Sequence, residues 1–320
     1  MTENIFHRAI YLTGPTASGK TAVGVALARL LDAEVVALDS MTLYRGMDIA
    51  TAKPTVAERG GVPHHLIDII DPWQSASVSF YREWAARAAG EIEARNKRVL
   101  FVGGTPLYLK TLLRGLFKGP GADQELRLRL ERDAHEHGDA SLHARLAELD
   151  PTTACRLHPR DRRRVIRALE VLELTGRPIS EHQAEHNRPA PPNIPVLALE
   201  LPRARLHERI NRRVVGFFEA GLVNEVRALQ SASQPLCDVA AQAIGYREVI
   251  AMLAEGKSAG PTIERIQART RQFAKRQATW FRGLGEVQSV PVSTCDSPEA
   301  IASLLVPRIE AVANFGRSST

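Results

Sequence analysis

The chain has 320 residues, of which 44% are hydrophobic and 24% charged, a composition that supports one large core with an attached smaller domain and gives no indication of disorder. It contains no run of about 18 apolar residues, so we expect no membrane-spanning helix, and the apolar stretch at residues 9–12 is too short for a signal peptide. The net charge of +6 fits a polyanionic partner without requiring one.

Short apolar runs alternate with amphipathic segments in the first third of the chain. We predict a strand over residues 9–13, a helix over 20–31, a strand over 34–38 that ends at Asp39, a helix over 79–95 and a strand over 99–102. This alternation predicts an α/β fold, in which a parallel sheet is flanked by helices on both faces. Such sheets bind ligands at the carboxyl ends of their strands.

The pattern changes near residue 119. From there to residue 195 the chain reads as helical and polar, and residues 119–200 carry 12 Lys and Arg against 14 Asp and Glu. We therefore predict a helical insertion domain over residues 119–195, which interrupts a catalytic core formed by residues 1–118 and 196–315. In the second part of this core we predict a strand over 196–201 and helices over 203–220, 223–230, 240–255 and 262–282.

A phosphate-binding loop follows the first predicted strand and opens the first predicted helix. The loop matches the pattern G-x-x-x-x-G-K-[ST] and comprises Gly14, Pro15, Thr16, Ala17, Ser18, Gly19, Lys20 and Thr21. Backbone N–H groups of such a loop surround phosphate oxygens, the lysine adds a positive charge, and the Thr21 hydroxyl is a ligand for Mg²⁺. The sequence therefore predicts a P-loop NTPase-like sheet with a phosphate site.

The loop alone does not say which phosphate compound binds. An ATPase or GTPase should carry an acidic residue after a core strand to help hold the metal, but the strand at 99–102 ends in Gly103 and Gly104. Asp39 supplies the available carboxylate instead. This arrangement suits transfer of a group to or from a phosphate-bearing substrate.

Beyond the loop, several blocks in a fixed order resemble the bacterial tRNA dimethylallyltransferases (isopentenyltransferases). The blocks are residues 39–54 (DSMTLYRGMDIATAKP), 64–68 (HHLID), 102–105 (VGGT), 167–171 (RALEV), 270–277 (TRQFAKRQ) and 279–282 (TWFR). The resemblance extends from about residue 8 to residue 285. It implies a cytoplasmic enzyme that transfers a dimethylallyl group from dimethylallyl diphosphate to N6 of the adenosine immediately 3′ of the anticodon, with Mg²⁺.

The resemblance also assigns roles to residues, and the chemistry agrees with them. It implies that Asp39 is the general base for the adenine amine, that Lys20 assists the leaving diphosphate and that Thr105 lines the reaction channel. It further implies that the flipped nucleotide contacts the residues just after the base, Ser40, Met41 and Thr42. For Asp39, a helix N-cap or a structural metal ligand remains an alternative.

Arginines inside the predicted insertion form a candidate RNA surface. Arg160, Arg162, Arg163, Arg164 and Arg167 lie within eight residues, opposed only by Asp161. The resemblance places anticodon-loop contacts at Arg127, Arg163, Arg164, Val165, Ile166 and Arg167. Alternatively, Arg164 and Arg167 pair with Glu170 or Glu173. A second basic helix, 262–282, carries a predicted buried stripe of Ile263, Ile266, Thr270, Phe273, Gln277 and Trp280.

Two positions depart from the family pattern, which usually has Gln where this chain has Thr42 and Gly where it has Pro106. A threonine makes fewer hydrogen bonds to an adenine edge than a glutamine, and Pro106 fixes φ just after Thr105. An ATP-dependent small-molecule kinase is the competing function, and a tRNA-binding protein that has lost catalysis is a third. Neither the cysteines (Cys155, Cys237, Cys295) nor the histidine pairs (His135 with His137, His182 with His186) form a complete zinc pattern. We expect a cytoplasmic monomer.

Overall fold

The protein is described by a computed structural model that covers residues 4–117, 119–185, 189–293 and 296–315. Contacts divide the chain into two compact units, one comprising Met1–Leu113 with Ala190–Thr320 and the other Arg114–Pro189. The smaller unit begins five residues before the predicted insertion and ends six residues before the predicted end. His186 and Cys295 lie outside the described residues.

The larger unit is built on a six-stranded parallel sheet. Its strands are β1 (Ile10–Thr13), β2 (Ala33–Ala37), β3 (His64–His65), β4 (Arg98–Val102), β5 (Val196–Glu200) and β6 (Gln288–Pro291). They are arranged in the order β3-β2-β4-β1-β5-β6. Every residue of β1 and β2 is buried, as expected for strands covered on both faces. The predicted α/β class is confirmed.

The remaining elements are helices. Those preceding the smaller unit are α1 (Lys20–Leu31), α2 (Val56–Arg59), α3 (Val78–Ala94) and α4 (Pro106–Arg114), with a 3₁₀ turn at Ile5–His7. The smaller unit contributes α5 (Gln124–His137), α6 (Asp139–Leu149), α7 (Pro151–Ala154), α8 (Arg162–Thr175) and α9 (Ile179–Glu185). The remainder are α10 (Arg203–Glu219), α11 (Leu222–Gln230), α12 (Asp238–Ala241), α13 (Tyr246–Ala254), α14 (Ala259–Arg282) and α15 (Pro298–Phe315).

Glycines allow the backbone to pack closely where the central strands end. A Cβ on Gly103 would lie 2.1 Å from the carbonyl oxygen of Leu38, and one on Gly24 would lie 2.9 Å from the side chain of Val102. At Gly103 the neighbouring atoms belong to the backbone and leave no room for a methyl group, so this position requires glycine, whereas at Gly24 the Val102 side chain would have to shift. This packing brings the carboxyl ends of β2 and β4 against each other beside the start of α1.

The smaller unit has its own hydrophobic core. Leu130, Leu146, Val165 and Leu169 are fully buried in it, and they come from α5, α6 and α8. Each of these helices therefore turns one apolar stripe inward, which is the periodicity expected of a helix packed on one face.

Three sequence-based predictions were wrong in detail. The helix predicted over 240–255 is two helices, α12 and α13, because Gly245 between them has φ +96° and leaves no room for a side chain beside Ala50. The predicted stripe of α14 is displaced, since Phe281 is buried and Trp280 is 43% exposed. The strands β3 and β6 were not predicted.

Among the described residues, no helix is long and apolar enough to cross a membrane.

Candidate functional site

The phosphate-binding loop, residues 14–21, connects β1 to α1 and presents unsatisfied donors. Of the hydrogen bonds among the described residues, none is donated by the backbone N–H of Ala17, Gly19, Lys20 or Thr21. Ala17 and Gly19 have positive φ, +64° and +95°, which turns the loop around a concave space. Backbone amides left free at the start of a helix form an anion site.

Lys20, the first residue of α1, lies at this site and its ammonium group donates to the carbonyl of Pro15 over 2.8 Å. The side chain therefore folds back over the loop. Burial lowers the pKa of the Lys20 ammonium to about 8, with Asp39 opposing and Arg213 adding to the shift. An anion bound at the loop would favour the charged form of Lys20 and so oppose this lowering of its pKa.

Asp39 follows the end of β2, as predicted, but no helix begins there. Its Oδ1 accepts the N–H of Met41 over 2.8 Å, which closes a turn through its own side chain. The alternative in which Asp39 caps a helix is therefore wrong. Burial raises the pKa of the Asp39 carboxyl, while the Met41 N–H and the Lys20 charge oppose this rise.

Thr105 joins the end of β4 to the end of β2. Its N–H donates to the carbonyl of Leu38, and its hydroxyl accepts the N–H of Ser40 over 3.2 Å. Pro106 then occupies the first position of α4, where a missing N–H costs nothing. These two hydrogen bonds therefore join Thr105 to Leu38 and Ser40, the residues on either side of Asp39.

The loop, Asp39 and Thr105 line a single cavity of about 1130 Å³ within the larger unit. Its polar lining includes the following side chains: Thr16, Lys20, Thr21, Asp39, Ser40, Thr42, Thr105, Arg209, Arg212, Arg213 and Arg276. Its apolar lining includes Met41, Ile49, Val214, Phe217, Val239, Ile244 and Phe273. This volume exceeds that of many ligand pockets.

Thr42, which stands where the family usually has Gln, is buried, with only 7% of its surface exposed. Its hydroxyl has no hydrogen-bond partner among the described residues, although the residue lines the cavity. An unsatisfied buried hydroxyl is costly unless a ligand pairs with it.

Arginines of α10 surround the phosphate-binding loop. Arg213 extends to the Thr16 hydroxyl at 3.5 Å, and the guanidinium of Arg209 lies 3.4 Å from where a Cβ of Gly19 would be. Their spacing of four residues puts both on one face of α10. Together with Lys20 they place three cations around one loop, which favours a multiply charged anion such as a diphosphate.

Sequence reasoning missed the residues that hold the cavity wall at residues 48–55. Glu225 of α11 accepts the N–H groups of Asp48 and Ile49 and the hydroxyl of Tyr246. On the other side, the Lys53 ammonium is 4% exposed and bonds to both Asp48 and Asp68 at 2.5 Å. The partner of Asp48 and Ile49, Glu225, lies more than 170 residues further along the chain, so no local pattern indicated it.

In the smaller unit, Glu170 organises two of the predicted RNA-contacting arginines. Its side chain is fully buried and accepts two hydrogen bonds from Arg127, at 2.8 and 2.9 Å, and one from Arg167 at 2.6 Å. Burial alone would raise the pKa of Glu170, but the two arginines and the N–H of Asp123 lower it. Pairing of Arg167 with Glu170 was one of the alternatives left open by the sequence.

The remaining residues of this predicted surface have different environments. Arg163 is exposed, and no ion pair of the described residues includes it, whereas Arg164 pairs with Asp161 at 3.0 Å. The side chains of Val165 and Ile166 are buried in the core of the smaller unit. They fix the face that α8 turns inward, so the arginines occupy its outer face.

The site also offers a place for a divalent cation. Thr21 is exposed at the start of α1 and, like Asp39, lines the cavity. Oxygen donors of this kind suit Mg²⁺, which binds proteins through few side chains and through substrate phosphates. Among the described residues, no cluster of three or more His, Cys, Asp or Glu side chains could hold a metal by itself.

Comparison with known proteins adds independent information. The family model described as IPP transferase matches residues 42–284, and a model described as isopentenyl transferase matches residues 7–68. A tRNA dimethylallyltransferase of Geobacter metallireducens is 47% identical over 288 residues, which cover 90% of this chain and 93% of that protein. One of Rhodopirellula baltica is 41% identical over 97% of this chain and 96% of that protein.

Solved structures agree with the fold. The tRNA isopentenylpyrophosphate transferase of Bacillus halodurans has a TM-score of 0.71 and 36% identity, over 97% of this chain and 99% of that one. A eukaryotic dimethylallyltransferase acting on tRNA has a TM-score of 0.78 and 26% identity, over 96% of this chain and 79% of that one.

Proposed function

The chain belongs to the IPP transferase family, and we propose that it transfers a dimethylallyl group from dimethylallyl diphosphate to N6 of the adenosine immediately 3′ of the anticodon in tRNA. The observation that carries this proposal is the shared cavity. One lining segment is the anion cradle, the phosphate-binding loop with its free amides and the cations beside it, and another carries the buried carboxylate of Asp39.

In the proposed reaction, the N6 lone pair attacks the allylic carbon while the bond from that carbon to the diphosphate oxygen breaks. The bonding electrons leave with the diphosphate, whose growing charge is stabilised by Lys20, Arg213 and the loop amides. The N6 proton passes to the Asp39 carboxylate. A base with a raised pKa accepts this proton more readily, and general base catalysis contributes roughly 10²- to 10⁴-fold.

Thr105 and Thr42 have supporting roles in this proposal. Thr105 holds the chain at Ser40, next to the base, and its hydroxyl lines the cavity. We propose that Ser40, Met41 and Thr42, which follow the base and line the cavity, contact the flipped nucleotide. Thr42 can make fewer hydrogen bonds than the glutamine usual at this position, so we expect a looser reading of the base.

Mg²⁺ would be held by the Thr21 hydroxyl together with diphosphate oxygens, and it would supply positive charge to the leaving group.

We propose that tRNA is also bound by the smaller unit. Arg163 is free to meet a phosphate, Arg164 is exposed beside it, and Arg127 and Arg167 are oriented by Glu170. Val165 and Ile166 support this helix from the core side. We further propose that the enzyme acts on tRNA in the cytoplasm and that it acts as a monomer.

An ATP-dependent kinase is the competing proposal because a P-loop also suits ATP. Incubation with Mg²⁺, an unmodified anticodon stem-loop RNA and either dimethylallyl diphosphate or ATP, followed by mass spectrometry of the RNA, separates the two. We expect the RNA to gain one dimethylallyl group only with the diphosphate. Unchanged RNA from a folded preparation, with ATP consumed on a small-molecule acceptor, would overturn the proposal.

A further inference from the structure

Gln277 is a buried polar side chain that the proposed reaction does not use. It lies on α14, is only 3% exposed, and lines the cavity. A buried amide normally has a partner for each of its polar atoms, so its contacts indicate what it holds in place.

Both ends of the Gln277 amide are paired, and the two partners belong to different segments. Its Oε1 accepts the N–H of Thr16, in the phosphate-binding loop, over 2.9 Å. Its Nε2 donates to the carbonyl of Gly104, directly before Thr105, over 2.6 Å. One side chain thus joins the loop after β1 to the segment after β4.

The Thr16 N–H is separate from the free amides of Ala17, Gly19 and Lys20, so Gln277 does not compete with an anion for them. Gly104 lies beside the side chains of Gln277 and Lys20, since a Cβ built on it would be 2.6 Å from Gln277 Nε2 and 3.5 Å from Lys20 Nζ. The residue that follows, Thr105, bonds to the N–H of Ser40, next to Asp39. A continuous chain of contacts therefore leads from the anion cradle to the base.

We propose that Gln277 is a positioning residue that fixes the distance between the anion cradle and the Thr105–Asp39 segment. It acts through the two backbone segments and touches neither reacting atom. The expected effect of Gln277 on the reaction rate rests on the proposed function, whereas its expected effect on anion affinity does not. Misplacement of reactants by about 1 Å can cost on the order of 10²-fold in rate, so a small shift of either segment is sufficient.

The first test replaces the amide with an apolar group of similar size, Gln277→Leu, and measures the affinity for inorganic diphosphate with Mg²⁺ by calorimetry. We expect the affinity to fall about tenfold and kcat/KM for dimethylallyl diphosphate to fall about 10- to 100-fold, while affinity for the anticodon stem-loop stays unchanged. Gln267→Leu is the matched control. Gln267 lies on the same helix, is not among the residues that line the cavity, and donates to the carbonyl of Asn211 over 3.1 Å.

A second variant, Gln277→Glu, tests the donor to Gly104. An ionised carboxylate repels this carbonyl, whereas a protonated one donates to it and still accepts from Thr16. Burial raises the pKa of such a carboxyl, so we expect the activity of this variant relative to wild type to rise as the pH is lowered from 8 to 6. This readout remains available if the leucine variant does not fold.

The outcomes separate the two proposals. If wild type transfers no dimethylallyl group, the proposed function fails, and the diphosphate affinities alone then decide the role of Gln277. Equal diphosphate affinity in wild type and Gln277→Leu, an equal loss in Gln267→Leu, or a flat ratio of Gln277→Glu to wild type across pH would each overturn the positioning role.

Discussion

The N–H of Ser40 donates to the hydroxyl of Thr105 over 3.2 Å, which links the residue after the proposed base to the end of a neighbouring strand. The close approach of Gly103 to Leu38 makes this bond possible, because no side chain separates β2 from β4 at that point. The proposed base therefore lies on a segment fixed from two strands, and a rigid base costs less to orient at the moment of reaction.

We predict that Asp39→Asn lowers the rate of dimethylallyl transfer by roughly 10²- to 10⁴-fold, because the amide cannot accept the N6 proton. Single-turnover transfer to an anticodon stem-loop measures this step. Asp32→Asn is the matched control, since Asp32 is exposed, pairs with Lys97 and has a left-handed backbone conformation that asparagine tolerates. A rate for Asp39→Asn close to that of the control would rule out Asp39 as the base.

The pH dependence of kcat/KM should have two limbs that belong to the free enzyme. Asp39 must be ionised, and burial raises its pKa, so activity falls as the pH drops through a value above the ordinary pKa of Asp. Lys20 must be charged, and its pKa is about 8, so activity also falls as the pH rises through that region. Lys20→Arg should abolish the alkaline limb, because arginine stays protonated. An alkaline limb that persists unchanged in this variant would assign it to another group.

Thr42→Val removes a buried hydroxyl that has no partner among the described residues. We expect thermal stability to stay equal or to rise, because an unsatisfied polar group is lost, while kcat/KM for RNA falls about tenfold if adenine pairs with this hydroxyl. Thr13→Val is the contrast, since the Thr13 hydroxyl donates to the Gly103 carbonyl over 2.8 Å. That variant should lose about 1 kcal/mol of stability. Full RNA activity in Thr42→Val would remove Thr42 from the base-reading contacts.

Glu170→Ala leaves Arg127 and Arg167 without their buried partner. The two arginines left behind are 36% and 33% exposed and can be hydrated, so we expect a cost below the roughly 3–5 kcal/mol of stranding a buried charge, together with faster hydrogen–deuterium exchange in α5 and α8. Since the pKa of Glu170 is lowered in the folded protein, its contribution is present above the unfolded pKa and is lost as the pH falls through the folded one. Exchange rates equal to wild type would show that Glu170 does not hold these helices.

Arg163→Gln should act on RNA affinity alone, because no ion pair of the described residues includes Arg163. Loss of one phosphate contact weakens binding for all sequences and reduces the salt dependence of log K by about 1. Arg132→Gln, which removes an exposed charge from α5, is the control. An equal change of slope in both variants would mean that only net charge matters.

The sequence predicted best what is decided locally. The phosphate-binding loop and the amphipathic pattern after it predicted α1 to the residue, at Lys20–Leu31. It predicted poorly what distant contacts decide. The two-residue strand β3 exists only because it pairs with β2, and the helix predicted over 240–255 is interrupted where Gly245 packs against Ala50.

The site shows the same division. Lys20, Asp39 and Thr105 were found from motifs and share one cavity, as parallel strands lead one to expect. Gln277 was predicted only to be buried, since its partners Thr16 and Gly104 are 261 and 173 residues away. The sequence pattern of a helix predicts that a side chain is buried, but it does not predict which distant residue that side chain contacts.

The most direct test of the central claim compares two anticodon stem-loops that differ only at the nucleotide 3′ of the anticodon, adenosine in one and inosine in the other. Inosine has no amine at this ring position. After reaction with dimethylallyl diphosphate and Mg²⁺, nucleoside digestion and mass spectrometry should find one N6-dimethylallyl adenosine in the first RNA and no incorporation in the second. Equal incorporation into both RNAs would contradict the account, because the acceptor would not be that amine.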